Sequence, residues 1–374
     1  MNFSCSDEQL AIAELAKQIM SDKATQERMT ELEKAEGPRF DPDLWREVAK
    51  SGVLGIAVPE EFGGAGMGFF ELSLIAEQVG RTTAPIPLIE TAVMAALAID
   101  KYGSEAQKQA TLPPLTQGEI IMTAALVEEG ADPEVPETRA IADGDGFKLS
   151  GCKICVPAGD LANLVLVPAR ADDDRVGIFL VDPASSGCTV ISLETTSDQP
   201  EAQIEFDGVE VGTDALLGSF EKGAEILLFI TERTNAALCS LALGVCEEAL
   251  RLTADYTKSR EQFGQAIATF QAVGQRAADA FIDTEAIRLT SWQAAWRLAQ
   301  GLPAASQIAT AKVWAAEAGH RVVHTATHLH GGMGVDKDYP LFRYFTYARQ
   351  LGLTLGGPTS HLIKLGKMLA AGTA

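Results

Sequence analysis

Apolar positions change their period twice along this chain. Near the start, Leu10, Ile12, Leu15 and Ile19 follow Asp7-Glu8-Gln9 and trace one face of a helix. Asp41-Pro42-Asp43 opens Leu44-Trp45-Arg46-Glu47-Val48, with an aspartate placed to cap and a proline in the first turn. Further helical patterns run from Phe70 to Val79 and from Glu90 to Tyr102. From about Ile120 to Ala224 the runs turn short and β-like: Phe147-Lys148-Leu149, Leu164 to Val167, Val176 to Val181, Ile204-Glu205-Phe206. Asp143-Gly144-Asp145-Gly146 and Asp207-Gly208 read as turns between them, and the regular spacing predicts a small barrel or sandwich. Beyond Lys222 the helical period returns over Leu227 to Lys258, Thr269 to Ala299 and Ala304 to His330, where Gly331-Gly332 stops the last run. The expected chain is α+β, mostly α. It has a helical domain over 1–119, a β domain over 120–224 and a helical-bundle domain over 225–374.

Composition narrows the field. The 374 residues exceed one small core, and 47% hydrophobic content fits packed domains rather than disorder. A formal net charge of −21 repels phosphate backbones, and no basic stripe appears, so nucleic acid is not an expected partner. Met1 to Leu10 carries acids and no apolar run, unlike a secretory signal. The longest uncharged apolar stretch found, Thr234 to Cys246, falls short of the about 18 residues a membrane span needs. A soluble, cytoplasmic protein with reduced thiols is expected. Cys152 and Cys155 have CxxC spacing but no second pair and no neighbouring histidine, so neither zinc nor redox use is expected. His320, His324 and His328 share a helix face, yet the outer two lie about 12 Å apart along the axis, too far to share one ion. They and His330 read as packing or interface residues, as do Trp292 and Trp296.

Two strings carry the chemistry. In Tyr256-Thr257-Lys258-Ser259-Arg260-Glu261-Gln262-Phe263-Gly264, an arginine at a helix end offers a forked donor for pyrophosphate oxygens. Phe263 can pack beside a ring, and Gly264 permits the turn into the next helix. In His328-Leu329-His330-Gly331-Gly332-Met333-Gly334, paired glycines let backbone N–H groups approach a phosphate or ribose. Taken singly, the first string also reads as a helix-capping arginine and the second as a Schellman-type stop. Their order, about 70 residues apart across long helices, is far more specific than either alone.

On these strings the chain resembles the acyl-CoA dehydrogenases over essentially its whole length. The resemblance implies their fold: an N-terminal helical domain, a middle β-barrel or sandwich, and a C-terminal four-helix bundle. It implies FAD-linked α,β-desaturation of an acyl-CoA thioester. In that reaction a carboxylate takes the α-proton while hydride passes from the β-carbon to flavin N5. It also implies that the adenine and pyrophosphate end of FAD is gripped across a subunit interface. Here that grip would be Arg260, Phe263, Phe270, Gln271, His328, Leu329, Gly331 and Gly332. The family usually has Gln at His328, and His still donates or accepts one hydrogen bond.

The departures are as informative. The family's base follows a late Tyr in a Tyr-Glu-Gly-Thr context, where this chain has Leu353-Thr354-Leu355-Gly356-Gly357. A minority of members place the base on an earlier helix, just before an Arg, and that position is Thr234 followed by Asn235. Glu232, two residues back, sits about 200° around the helix and faces elsewhere. Where the family sets hydroxyl residues against the isoalloxazine ring, this chain has Val127 and Pro157, and proline also removes a backbone donor.

The resemblance is therefore to the base-lacking subunit of heterotetrameric (α2β2) dehydrogenases acting on steroid side-chain CoA esters. Such a subunit completes an FAD site seated mainly in a catalytic partner. It supplies no catalytic residue, binds no metal, serves an acyl-CoA substrate and passes electrons to an electron-transfer flavoprotein. Two other readings stay open at this point. One is a self-sufficient homo-oligomeric dehydrogenase with Glu232 as an unusual base. The other is a flavin-free acyl-CoA-binding or scaffold protein.

Overall fold

The computed structural model describes residues 4–373. Helices come first: α1 (Asp7–Lys23), α2 (Gln26–Lys34), α3 (Pro42–Lys50), α4 (Phe69–Thr82), α5 (Leu97–Tyr102) and α6 (Glu105–Thr116). Strands follow: β1 (Met122–Ala124), β2 (Arg139–Asp143), β3 (Gly146–Pro157), β4 (Leu164–Arg170), β5 (Val176–Val181), β6 (Cys188–Leu193) and β7 (Glu201–Gly212). The rest is α7 (Gly223–Ser259), a small hairpin of β8 (Glu261–Gln262) and β9 (Gln265–Ala266), then α8 (Gln271–Ala299), α9 (Ala305–His330), α10 (Leu341–Leu353) and α11 (Pro358–Ala371).

Local chemistry sets several starts. Ser6 and Gln9 cap α1 reciprocally, and Ser104 and Gln107 do the same for α6. Asp41 accepts from the backbone of Asp43 and Leu44, with Pro42 in the first turn of α3, as its sequence predicts. The helical pattern from Glu90 to Tyr102 is not one α-helix. A π-helical stretch, Ile89–Ala96, runs directly into α5. The extra residue per turn is invisible to hydrophobic periodicity because six of the eight residues are apolar and leave little contrast between faces.

The chain falls into two compact units. One comprises Leu32–Gly68 and Pro85–Thr234. Its strands form one curled seven-stranded sheet in the order β1-β4-β2-β3-β7-β6, with β5 paired to β4. Leu149, Val156, Val165, Val167, Phe179, Ile204 and Val209 fill its core. Phe147, Phe179 and Phe220 meet edge to face at 5.4–6.0 Å. The expected turn at Asp207-Gly208 is instead a bulge inside β7. Ser150 pairs with Asp207 and Leu149 with Val209, leaving Gly208 (φ 65°) as the extra residue. A glycine in this conformation serves a bulge as well as a turn, so the sequence alone reads either way.

The other unit comprises the residues up to Glu31, Phe69–Ala84 and Asn235 onward. Here α8, α10 and α11 all pack on α9. Lys312 of α9 is wholly buried and donates to the Leu351 carbonyl in the last turn of α10, where the helix dipole favours a cation. Helices α4 and α7 cross backbone to backbone. A Cβ on Gly80 would lie 2.0 Å from the Leu241 carbonyl oxygen, and one on Gly244 would lie 1.9 Å from that of Glu77. Beside the crossing, Arg81 of α4 and Arg288 of α8 both donate to Glu247 of α7. Burial, with Glu247 adjacent, pushes Glu77 up to about 7. By length and composition α7 could cross a membrane, but 78% of its most apolar window is buried within the protein, as in a core helix.

Candidate cofactor-gripping site

The first string closes α7 and builds the β8–β9 hairpin. The Arg260 N–H donates to the Tyr256 carbonyl at 2.8 Å, and the Ile267 N–H donates to the Arg260 carbonyl at 2.8 Å. The backbone at Arg260 is thus pinned from both sides while its side chain stays exposed. Phe263 (φ 53°) and Gly264 (φ 80°) form the two-residue hairpin turn with both residues left-handed. A phenylalanine there is strained, and the residue is 94% exposed. Its ring meets Phe270 edge to face at 6.2 Å.

Gln271 opens α8. Phe270 offers no capping side chain and the first turn has no acid, so the first N–H groups and the positive helix end face outward. Helices α8 and α9 run antiparallel, and Arg321 grips Asp283 through two hydrogen bonds of 2.8 and 2.7 Å. The start of α8 and the end of α9 therefore lie at the same end of the pair. His328 is exposed there, and Leu329 is buried beneath it. Gly331 leaves the helix at φ 59°, ψ −133°, a conformation only glycine adopts readily. This is not the αL geometry of a Schellman cap. Exposed Gly331 and Gly332 have open space where a Cβ would sit.

Residues that sequence reasoning does not join bring the two strings together. His330 is 2% exposed and stacks on Tyr256, the last-turn residue of α7, at 4.3 Å and 23°. Its Nδ1 lies 2.8 Å from the Ala326 carbonyl and its Nε2 3.1 Å from the Tyr339 hydroxyl. The only available signal is that one of these aromatics belongs to each string. An exposed arginine, an exposed aromatic, an uncapped helix start and an open glycine turn suit the pyrophosphate and ring of FAD.

The two positions at which the resemblance expects a base hold leucine and threonine. Leu355 is half-buried at φ 53°, and its carbonyl faces His361 Nε2 at 3.2 Å. Thr234 is 2% exposed and donates its hydroxyl to the Ile230 carbonyl at 2.7 Å, so it is occupied within its own helix. Glu232 is half-buried on the same helix. The neighbouring Arg233 lies over the Phe229 ring, 3.4 Å from its centroid. Burial pulls this guanidinium down to about 10 despite the charge of Glu232.

On the sheet, the Val127 carbonyl accepts from the Ile154 N–H at 2.9 Å, and the Pro157 carbonyl accepts from the Thr123 hydroxyl at 2.7 Å. Cys155 (φ 48°) and Ala158 (φ 52°) flank this segment in left-handed backbone. Glu128 accepts from the Glu137 and Thr138 N–H groups, from the Thr138 hydroxyl and from the fully buried Lys153 ammonium. Burial alone would raise Glu128, but Lys153 and these donors hold it below the usual carboxylate range. Among the described residues no group of three His, Cys, Asp or Glu is placed to hold a metal ion.

Comparison with known proteins decides the family. Residues 6–119 match the acyl-CoA dehydrogenase N-terminal domain, and residues 222–365 match the acyl-CoA dehydrogenase C-terminal domain. The acyl-CoA dehydrogenase FadE27 of Mycobacterium tuberculosis is 37% identical, over 99% of each chain. The chain belongs to the acyl-CoA dehydrogenase family. A chain in the ChsE4–ChsE5 complex of Mycobacterium tuberculosis superposes with a TM-score of 0.94 at 38% identity, over 99% of each chain. One in a variant of the Tcur3481–Tcur3483 steroid ACAD superposes with a TM-score of 0.91 at 41% identity, over 98% of each chain.

Acyl-CoA dehydrogenases are FAD-dependent oxidoreductases acting on CH–CH bonds, so the cofactor named from the resemblance stands. Within this family member, the glycine turn separates backbone from side-chain effects. Gly331→Ala is expected to cost about 1–3 kcal/mol from backbone strain alone, since nothing opposes its Cβ. Gly332→Ala, which needs no left-handed φ, should be near neutral. Equal midpoints for the two variants in urea would rule out a glycine-only requirement at 331.

Proposed function

We propose that this chain is the FAD-completing, base-lacking subunit of a heteromeric acyl-CoA dehydrogenase. The observation that carries the reading is an exposed Arg260, Phe263 and Gly331-Gly332 turn in a chain that has Leu355 and Thr234 where the resemblance expects a base. FAD, when bound, accepts the hydride removed from the substrate's β-carbon. This chain's part is to bind and orient. Arg260 supplies a forked, permanently charged donor to the pyrophosphate. The uncapped start of α8 at Gln271 adds backbone N–H groups and a positive helix end. Phe263 and Phe270 give the flexible dinucleotide an apolar edge. The Gly331-Gly332 turn and His328 admit close backbone and imidazole contact. Removal of the α-proton falls to a carboxylate of the partner, because neither Leu355 nor Thr234 can take a proton at neutral pH.

Two similarities support a bulky substrate and a mixed assembly. ChsE4–ChsE5 is a complex of two differently named chains, and Tcur3481–Tcur3483 is a steroid ACAD. By extension this chain pairs with a catalytic subunit in an α2β2 arrangement, serves a steroid side-chain CoA ester and hands electrons to an electron-transfer flavoprotein. Absorbance and native mass test it. The chain alone should be colourless and inactive, and yellow and active once co-assembled with a base-bearing partner. A yellow, active chain whose turnover disappears in Glu232→Gln would establish the self-sufficient enzyme instead. A mixed assembly without flavin would establish a scaffold.

A further inference from the structure

Tyr256, His330 and Tyr339 form a three-ring cluster where the end of α7 meets the end of α9, next in sequence to both strings. Tyr256 lies in the last turn of α7, and its carbonyl accepts from the Arg260 N–H at 2.8 Å. His330 ends α9 and is bonded covalently to Gly331. Tyr339 leads through Pro340 into α10. The imidazole stacks on Tyr256 at 4.3 Å, while the Tyr339 ring stands 5.2 Å from His330 and 6.4 Å from Tyr256. A carbonyl only accepts, so Nδ1 carries the hydrogen and donates it to Ala326. Nε2 is then the lone-pair nitrogen and accepts from the Tyr339 hydroxyl. One ring thus needs a donor on one edge, an acceptor on the other and a flat face between them. Neutral imidazole offers all three, on a ring large enough to stack on Tyr256.

We propose that His330 is the positioning residue that locks the Arg260–Gly264 hairpin and the Gly331–Gly334 turn into one FAD-gripping surface, acting through Tyr256 and Tyr339. This rests on the reading that the chain grips FAD. His330 itself is buried and acts through its neighbours. Neither hydrogen bond reaches α7: one ties the imidazole to Ala326 of its own helix and the other to Tyr339, so together they fix the ring's orientation. Without them the stack on Tyr256 that joins the ends of α9 and α7 is free to shift, and the spacing between Arg260 and the glycine turn loosens. Buried groups that orient ligand-contacting residues typically change affinity about 10–100-fold when removed.

The cluster also makes a prediction about pH. The titratable groups facing His330 are Tyr256 from α7 and Tyr339 from the connection to α10, while Arg251 and Asp255 of α7 act on Tyr339. Burial holds the imidazole below the usual histidine range. Protonation would turn Nε2 into a donor, reverse the Tyr339 hydroxyl from donor to acceptor and place a charge on a buried ring stacked between tyrosines. The folded group takes its proton less readily than the unfolded one, so the lock is complete above the ordinary histidine value and lost as pH falls through the folded one.

The test uses the assembled holo complex with His330→Phe, which keeps the stack and removes both hydrogen bonds, and Tyr339→Phe, which removes one hydroxyl. FAD release is followed by the rise in flavin fluorescence from neutral to mildly acidic pH, alongside the unfolding midpoint of each apoprotein. Both variants should release FAD roughly tenfold faster at neutral pH. The double variant should be no worse than His330→Phe, and the acid-side acceleration of the wild type should flatten in both. Wild-type release rates in Tyr339→Phe, or faster release matched by an equal loss of unfolding midpoint, would overturn the positioning role. A wild-type complex holding no FAD at all would overturn the gripping role and this inference together.

Discussion

Arg260→Ala is expected to strip FAD from the assembled complex while leaving the fold intact. The side chain is exposed, and among the described residues no ion pair or side-chain hydrogen bond engages it, so no packing is lost. What disappears is a charge-assisted, two-pronged contact to phosphate, worth about 1.5–3 kcal/mol, or roughly 10–150-fold in affinity. Arg260→Lys should fall between, because it keeps the charge and loses the fork. The flavin-to-protein absorbance ratio after gel filtration reads the effect, with far-ultraviolet circular dichroism as the control for folding. Unchanged flavin content in Arg260→Ala would remove the arginine from the grip and with it the strongest support for a cofactor-completing subunit.

The largest effect on stability is expected at the Lys153–Glu128 pair. Lys153 is wholly buried, and Glu128 is 8% exposed with the Glu137 and Thr138 donors around it. Lys153→Met leaves the carboxylate buried with its charge uncompensated, which costs about 3–5 kcal/mol. Glu128→Gln fails in the complementary way, stranding an ammonium in the sheet core. Replacing both together should cost less than the sum, because neither leaves an isolated charge. Since Glu128 lies below the usual carboxylate range, its contribution is complete above the unfolded value of about 4.3 and fades as pH falls through the lower folded value. Urea unfolding at neutral and acid pH measures both. Equal midpoints for wild type and Lys153→Met at neutral pH would mean that the pair does not hold the 128–138 loop to β3.

The long helices are legible because their burial repeats locally. The predicted run from Leu227 to Lys258 is α7, and that from Ala304 to His330 is α9, each within a few residues. Asp41-Pro42 marks the start of α3 for the same reason: a cap is a contact between residues two or three apart. Asp207-Gly208 misleads because a left-handed glycine satisfies a turn and a bulge alike, and only the partner strand distinguishes them. The Tyr256–His330 stack joins residues 74 positions apart, and no local pattern announces it. Nor does any local pattern announce the pairing of Lys153 with Glu128.

By itself, the sequence determined the order of elements and what chemistry is absent. Leucine at 355 and threonine at 234 have no group that ionises near neutral pH, and no tertiary arrangement can supply one. Only the tertiary structure decided which side chains meet and which face outward. It holds Phe263 in solvent on a strained turn, buries His330 between two tyrosines and pairs the buried Lys153 with Glu128. Period and capping are local consequences of backbone geometry, whereas a site is made by contacts between distant residues, whose partners are selected only when the whole core packs.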